Sequence, residues 1–229
     1  MRFRNYLLLM CIALSTALAL ELAVQAGELE NPLPQIQRLM DVFSADLRQV
    51  DSMTYEGPKN LLTDYSARND DGSINVVVEI PSGSGSKWEV KQDGKLHWDL
   101  KNGKPRIVQY LPYPCDYGMI PHTKAADGDP LDVVILGPAV PRGSIVQAKV
   151  IGVMKLTDKG EQDDKIVAVM ADTPLANVTS IAQLESEYPG TTDIIRNWFV
   201  NYKGPNAMPF GGFGDVNEAN EAIAAVIVK

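Results

Sequence analysis

The chain has 229 residues, 45% of them hydrophobic and 22% charged, with 18 Gly and 15 Pro. This is the composition of an ordinary globular domain and argues against disorder, collagen-like repeats and coiled coil. The net charge is −8, from 29 acidic against 21 basic residues, and no basic stripe interrupts it, so nucleic acid is a poor partner class. Two cysteines, Cys11 and Cys115, stand far apart outside any CxxC pair, and the two histidines, His97 and His122, are too few for a His-rich metal site. The acid surplus then has two readings: a soluble acidic surface, or carboxylates collected to hold cations.

The N-terminus reads as an export signal. Arg2 and Arg4 precede an apolar run, Tyr6–Leu20, and Val24-Gln25-Ala26 supplies a small-x-small cleavage site. The run is short for a membrane span, so residues 1–26 are expected to be cleaved and the mature chain to carry no membrane anchor. Loss of Arg2, Arg4 and Glu21 makes the mature charge −9 against −8. Export to the periplasm or the medium is expected, and Cys115 is then the only thiol.

The mature chain, 27–229, reads as one domain. Residues 27–69 form a helical extension: apolar positions Ile36, Leu39, Met40, Phe43, Leu47 and Val50 define one helix face, and Gly57-Pro58 marks a linker. Residues 70–203 form the core. Strands are expected at 74–80, 87–90, 106–110, 131–136, 145–156 and 165–169, separated by Gly, Pro, Asn and Asp. Helices follow, one capped by Thr179-Ser180 and running through Glu187, another capped by Thr191-Thr192-Asp193. Residues 204–229 supply a Gly/Pro-rich loop, through Gly214, and a final helix over 217–226. The class is α+β, a small barrel with flanking helices.

The densest chemical signal is Asp127-Gly-Asp129-Pro-Leu-Asp132, just before an apolar strand. At 4 Å, two such charges repel by about 4 kcal/mol at an effective dielectric of ~20, so the cluster calls for counter-charges. Gly128 and Pro130 form a turn that lets the side chains converge. An EF-hand fails, because its sixth and twelfth positions would be Asp132 and Pro138. Asp158-Lys-Gly-Glu-Gln-Asp163-Asp164-Lys165 reads by itself as a polar hairpin tip. Glu79 interrupts an apolar strand, where an ionised group needs a partner or a metal. Lys87 and Glu89 share a strand face. All-oxygen ligands select Mg²⁺, Mn²⁺ or Ca²⁺. Lys87, Arg106, Lys165 and Lys203, with Tyr113, Tyr117 and Tyr202, are donors for an oxygen-rich anion. No Walker A, GxSxG or HExxH string occurs.

These residues resemble the soluble family I inorganic pyrophosphatases, through DGDPLDV at 127–133, VVVEIP at 76–81, KWEV at 87–90 and GKPRIV at 103–108. The resemblance continues in YPCDYGMIPHT at 113–123, GVMKLTDKGEQDDKIVAV at 152–169 and NWFVNYK at 197–203. The segment after Ala171 is more like the longer, eukaryotic-type members. The resemblance implies a five-stranded OB-like β-barrel with flanking helices, a homo-oligomer, and Mg²⁺-dependent hydrolysis of pyrophosphate by metal-activated water, with Mn²⁺ able to substitute. It implies metal ligation by Asp127, Asp132, Asp158 and Asp163, with Glu79 and Glu89 lining the same cavity. Substrate binding falls to Lys87, Arg106, Tyr117, Tyr202 and Lys203, with Lys165 as a supporting cation. Asp129 matches the carboxylate that orients or deprotonates the attacking water. Lys159 departs from the family's usual Glu. Two other readings stand beside this one: a hydrolase of organic polyphosphates, which needs a base or sugar pocket, and a non-catalytic cation-binding module, which leaves the lysines and tyrosines unexplained.

Overall fold

The computed structural model describes residues 47–171 and 173–228. The chain begins with β1 (Arg48–Asp51) and β2 (Thr54–Glu56), then β3 (Ile74–Ile80), β4 (Trp88–Val90) and β5 (Leu96–Trp98). A short hairpin, β6 (Leu100–Lys101) and β7 (Lys104–Pro105), leads to β8 (Asp116–Met119), β9 (Asp132–Leu136), β10 (Ile145–Asp158), β11 (Glu161–Gln162) and β12 (Lys165–Met170). Helices α1 (Ile181–Glu187) and α2 (Thr191–Asn201), strand β13 (Phe210–Gly214) and helix α3 (Val216–Val226) complete it.

Five strands close on themselves. β10 pairs with β12, β12 with β9, β9 with β8, β8 with β3, and β3 with the first residues of β10. The β9–β12 pair is parallel and the other four are antiparallel. This ring is the closure that the expected OB-like barrel requires. It is built by near-continuous apolar runs: in β3 every residue but Asn75 is buried, and all of β12 is buried. Strands buried on both faces carry such runs rather than alternation. A second sheet, in order β1-β2-β5-β4, packs Trp88, Val90 and Leu96 against Val77 and Met119 of the ring. On the other side α1 and α2 bury Ile181, Leu184, Ile195, Trp198 and Phe199 against Ile151, Val167 and Val169. Each fully buried Leu, Ile or Phe side chain contributes roughly 1.5–3 kcal/mol.

Several sequence expectations need correction. The signal peptide and most of the predicted 36–50 helix lie outside the described residues. The rest of that extension is not helical: Arg48–Asp51 is a strand paired with Thr54–Glu56, because a nearby partner strand outweighs a helical apolar spacing carried only by Leu47 and Val50. Residues 106–110 are not a strand. Ile107 makes one isolated bridge with Ser86, and the chain then turns away with Ile107, Tyr110 and Leu111 exposed. Residues 204–214 are not all loop, since Phe210–Gly214 pairs with β10. Ser180 caps α1 as expected, accepting from the Gln183 amide. For α2, however, the cap position is Gly190 at φ 87, without a side-chain cap bond. The Thr191 and Thr192 hydroxyls instead donate to Tyr188 O and Glu185. Asp215 caps α3 in a reciprocal capping box with Glu218.

Candidate active site

Strand register brings the acids together at one end of the ring. Asp132 and Lys165 begin the two parallel strands β9 and β12, and β10 ends there at Asp158. Glu79 arrives by a different device. The β3–β8 register shifts between Val78 and Ile80, so Glu79 sits at a bulge that re-aims its side chain. Glu79 is 4% exposed and accepts a hydrogen bond from the Val90 amide at 2.6 Å. Burial raises its pKa to about 8 against that bond.

Two turns supply the remaining acids. In the 127–129 turn, Gly128 at φ +90 allows the Asp129 amide to donate to Asp127 Oδ1 at 3.0 Å. Asp129 is exposed at the cavity wall, and partial desolvation of its carboxyl there, followed by the neighbouring Asp127, raises its pKa. At the β10–β11 hairpin, Lys159 and Gly160 take φ 52 and 89, the both-positive pair of a type I′ turn. The predicted polar hairpin tip is present.

The cations interleave with these acids. Lys165 Nζ lies 2.5 Å from both Asp132 and Asp163, Lys87 Nζ 2.6 Å from Glu89, and Lys203 Nζ 2.8 Å from Asp158. Lys87 and Lys165 are buried, 8% and 2% exposed. Burial alone would lower their pKa values, but the facing carboxylates outweigh it and hold both above the usual lysine range. Burial likewise opposes ionisation of Glu89, yet Lys87 and Lys91 bring it down to about 2. Tyr117 and Asp132 line the same cavity, and burial, joined by the nearby Asp132 carboxylate, pushes the Tyr117 hydroxyl's pKa up. Tyr202 stacks on Trp198 at 4.6 Å and 10°, so the end of α2 fixes both it and Lys203. Arg106 pairs with Asp99 at 3.0 Å.

All thirteen residues singled out from the sequence line one cavity of about 190 Å³, smaller than the roughly 300–1,000 Å³ of drug-sized sites. Tyr113, the further candidate donor, does not line it. It is buried among Tyr117, Trp198 and Phe199 and braces the tyrosine wall. Lys91 lines the cavity and pairs with Glu89, and sequence reasoning missed it. The period-two series Lys87, Glu89, Lys91 was the available signal. Cys115 is buried and its thiol pKa is pushed up, which makes it unreactive.

The donor set fits hard cations in kind: among the described residues seven carboxylates line the cavity and neither His nor Cys does. Each of Glu89, Asp132, Asp158 and Asp163 faces a lysine, and among the described residues no three acidic, His or Cys groups converge as one metal cluster. The cavity therefore has alternating charge around a small polar space, the environment of an enzyme acting on a compact polyanion.

The inorganic pyrophosphatase family profile matches residues 76–229. The inorganic pyrophosphatase of Corynebacterium efficiens is 38% identical over 165 residues, covering 69% of this chain and 98% of that protein. Soluble inorganic pyrophosphatase 6 of Arabidopsis thaliana, a chloroplastic protein, is 37% identical over 180 residues, covering 69% of this chain but 59% of the longer relative. The crystal structure of type I inorganic pyrophosphatase from Toxoplasma gondii superposes with a TM-score of 0.70 at 27% identity, over 78% of this chain and 92% of that one. The chain belongs to the inorganic pyrophosphatase family.

Proposed function

We propose that the mature chain hydrolyses inorganic pyrophosphate to two phosphates, with divalent cations, Mg²⁺ foremost, held by Asp127, Asp132, Asp158, Asp163, Glu79 and Glu89. The observation that carries this reading is the assembly of all thirteen residues on one cavity in a chain of this family. Bound divalent cations would neutralise the substrate's charge and acidify water. The protein's own groups do the rest. Lys87, Arg106 and Lys203 bind and orient phosphate oxygens. Tyr117 and Tyr202 add directional donors without further charge. Asp129, exposed and facing no lysine at ion-pair distance among the described residues, is free to take the proton of the attacking water. Lys165, as the shared counter-charge of Asp132 and Asp163, fixes their positions.

Phosphate release from pyrophosphate by the chain starting at Gly27, with Mg²⁺ and with chelator, tests the proposal. Release that requires Mg²⁺ is expected, and absence of release in saturating Mg²⁺ would sink it. Export belongs to the same proposal, supported by the Arg2/Arg4, apolar-run and Val24-Gln25-Ala26 pattern. N-terminal sequencing of the secreted or periplasmic protein should begin at Gly27. Among the described residues no helix is long and apolar enough to cross a membrane. Homo-oligomerisation is proposed from the resemblance and is read directly by light scattering.

A further inference from the structure

The catalytic cavity opens outward. Arg106, Asp158, Tyr202 and Lys203 line it and also line a wider groove of about 910 Å³. One wall of that groove is the β6–β7 hairpin, which contributes Lys101 and Lys104. Lys159, at the tip of the β10–β11 turn, lines the groove as well.

The groove's charge is opposite to that of the chain. Among the described residues five cations line it against two acids, Asp99 and Asp158, while the whole protein carries −8. Both acids already face a cation, Asp99 with Arg106 and Asp158 with Lys203. Lys101, Lys104 and Lys159 have no carboxylate at ion-pair distance among the described residues. Three uncompensated ammonium groups beside a phosphate-binding cavity favour further negative charge rather than a neutral group. Tyr202 is the only aromatic residue among the described residues that line the groove, and its ring is stacked on Trp198 with the Lys203 ammonium 5.4 Å from its centroid. The described residues of the groove thus offer no open aromatic face on which a nucleobase could stack.

We propose that this groove holds the outer phosphates of linear inorganic polyphosphates, so that the chain also cleaves substrates longer than pyrophosphate. The inference rests on the pyrophosphatase reading, because the bond is broken in the inner cavity. Water oxygen attacks the terminal phosphorus and the bond from that phosphorus to the bridging oxygen breaks. The bridging oxygen leaves with the shortened chain, Asp129 takes the water's proton, and solvent receives it. Each cycle consumes one water and releases one phosphate.

The test compares tripolyphosphate with pyrophosphate, in Mg²⁺, for the wild type and for K101Q/K104Q/K159Q, three exposed positions outside the catalytic machinery. The wild type is expected to release phosphate from both. The triple variant is expected to keep its pyrophosphate kcat/KM within about twofold and to lose about tenfold on tripolyphosphate, chiefly through KM, as befits charges that lie beyond the shorter substrate. Cleavage of pyrophosphate without tripolyphosphate, or equal loss on both substrates, would overturn the groove assignment and leave the pyrophosphatase reading intact. Failure on pyrophosphate itself would overturn that reading instead. ATP cleaved as fast as tripolyphosphate would also overturn the assignment, since the groove would then accept an adenosine.

Discussion

Lys165 Nζ lies 2.5 Å from Asp132 Oδ2, across the parallel pairing that sets Ile166 opposite Val133. The same ammonium lies 2.5 Å from Asp163, so one buried cation is the counter-charge for two acids contributed by different parts of the chain. Removing one member of a buried pair is costly because its partners are left uncompensated. Asp132 and Asp163 are partly exposed, with side chains 29% and 23% accessible. K165M should therefore lose about 2–3 kcal/mol, below the ~3–5 of a fully buried pair, measured by urea unfolding in chelator. Mg²⁺ should raise the Tm of the variant more than that of the wild type, since a divalent ion can replace the missing charge. A variant as stable as the wild type without Mg²⁺ would refute this role for Lys165.

Asp129 separates catalysis from structure. Its side chain is exposed, while its backbone forms the turn by donating to Asp127 and accepting from the Ala125 amide. D129N keeps those backbone bonds and removes a proton acceptor. The thermal midpoint should stay within a few degrees, and kcat on pyrophosphate should fall roughly 10²–10⁴-fold, the range of a lost general base. Undiminished turnover would exclude Asp129 as the base.

The sequence was most legible where one signal sufficed. INVVVEI is a strand because seven residues, six of them buried, need no knowledge of their neighbours to read as an apolar run, and Glu79 stood out because it broke that run. The bulge that turns Glu79 toward the acids was not legible, because it exists only in the register between β3 and β8. Strand β8, Asp116-Tyr-Gly-Met119, gave no strand signal, since Asp and Gly are depleted in strands and only tertiary burial makes all four residues interior. Conversely, residues 106–110 have strand-like composition but find a partner only at Ile107. Local propensity lost to pairing in both cases.

Gly118 shows what β8 requires of its sequence. A Cβ built there would lie 1.9 Å from the Val77 carbonyl oxygen and 2.8 Å from the carbonyl carbon. These are backbone atoms of β3, the strand that delivers Glu79, and they cannot swing aside as a side-chain tip can. G118A should therefore push β3 and β8 apart and cost more than about 3 kcal/mol, the scale of severe core overpacking. Reduced soluble yield and a markedly lower Tm should be seen. The same change at Gly160, where no atom lies within 4 Å of the added Cβ but φ is +89, should cost only about 1–2 kcal/mol of backbone strain. A G118A protein as stable as G160A would contradict the close approach of β3 to β8.

Asp116 makes the fold sensitive to mild acid in an unusual direction. It is 1% exposed, and its two oxygens accept from the Ser82 amide at 2.6 Å and the Val140 amide at 3.0 Å. Burial raises its pKa from 3.8 to about 6, against those two donors. Between 3.8 and about 6 the folded protein holds a proton that the unfolded chain has released, so ionisation of Asp116 lowers stability as pH rises through that window. The penalty is absent below the window and complete above it, at most about 3 kcal/mol at ~1.4 kcal/mol per pK unit. D116N abolishes the titration but leaves one backbone amide facing an NH₂ group, an unpaired donor worth about 1–3 kcal/mol. The wild type should therefore exceed D116N in stability most clearly near pH 4.5, with the gap narrowing toward pH 7. Urea unfolding of both proteins at several pH values reads that gap directly. A gap that stays constant from pH 4.5 to 7 would mean that Asp116 is ionised throughout and that the two backbone donors outweigh its burial.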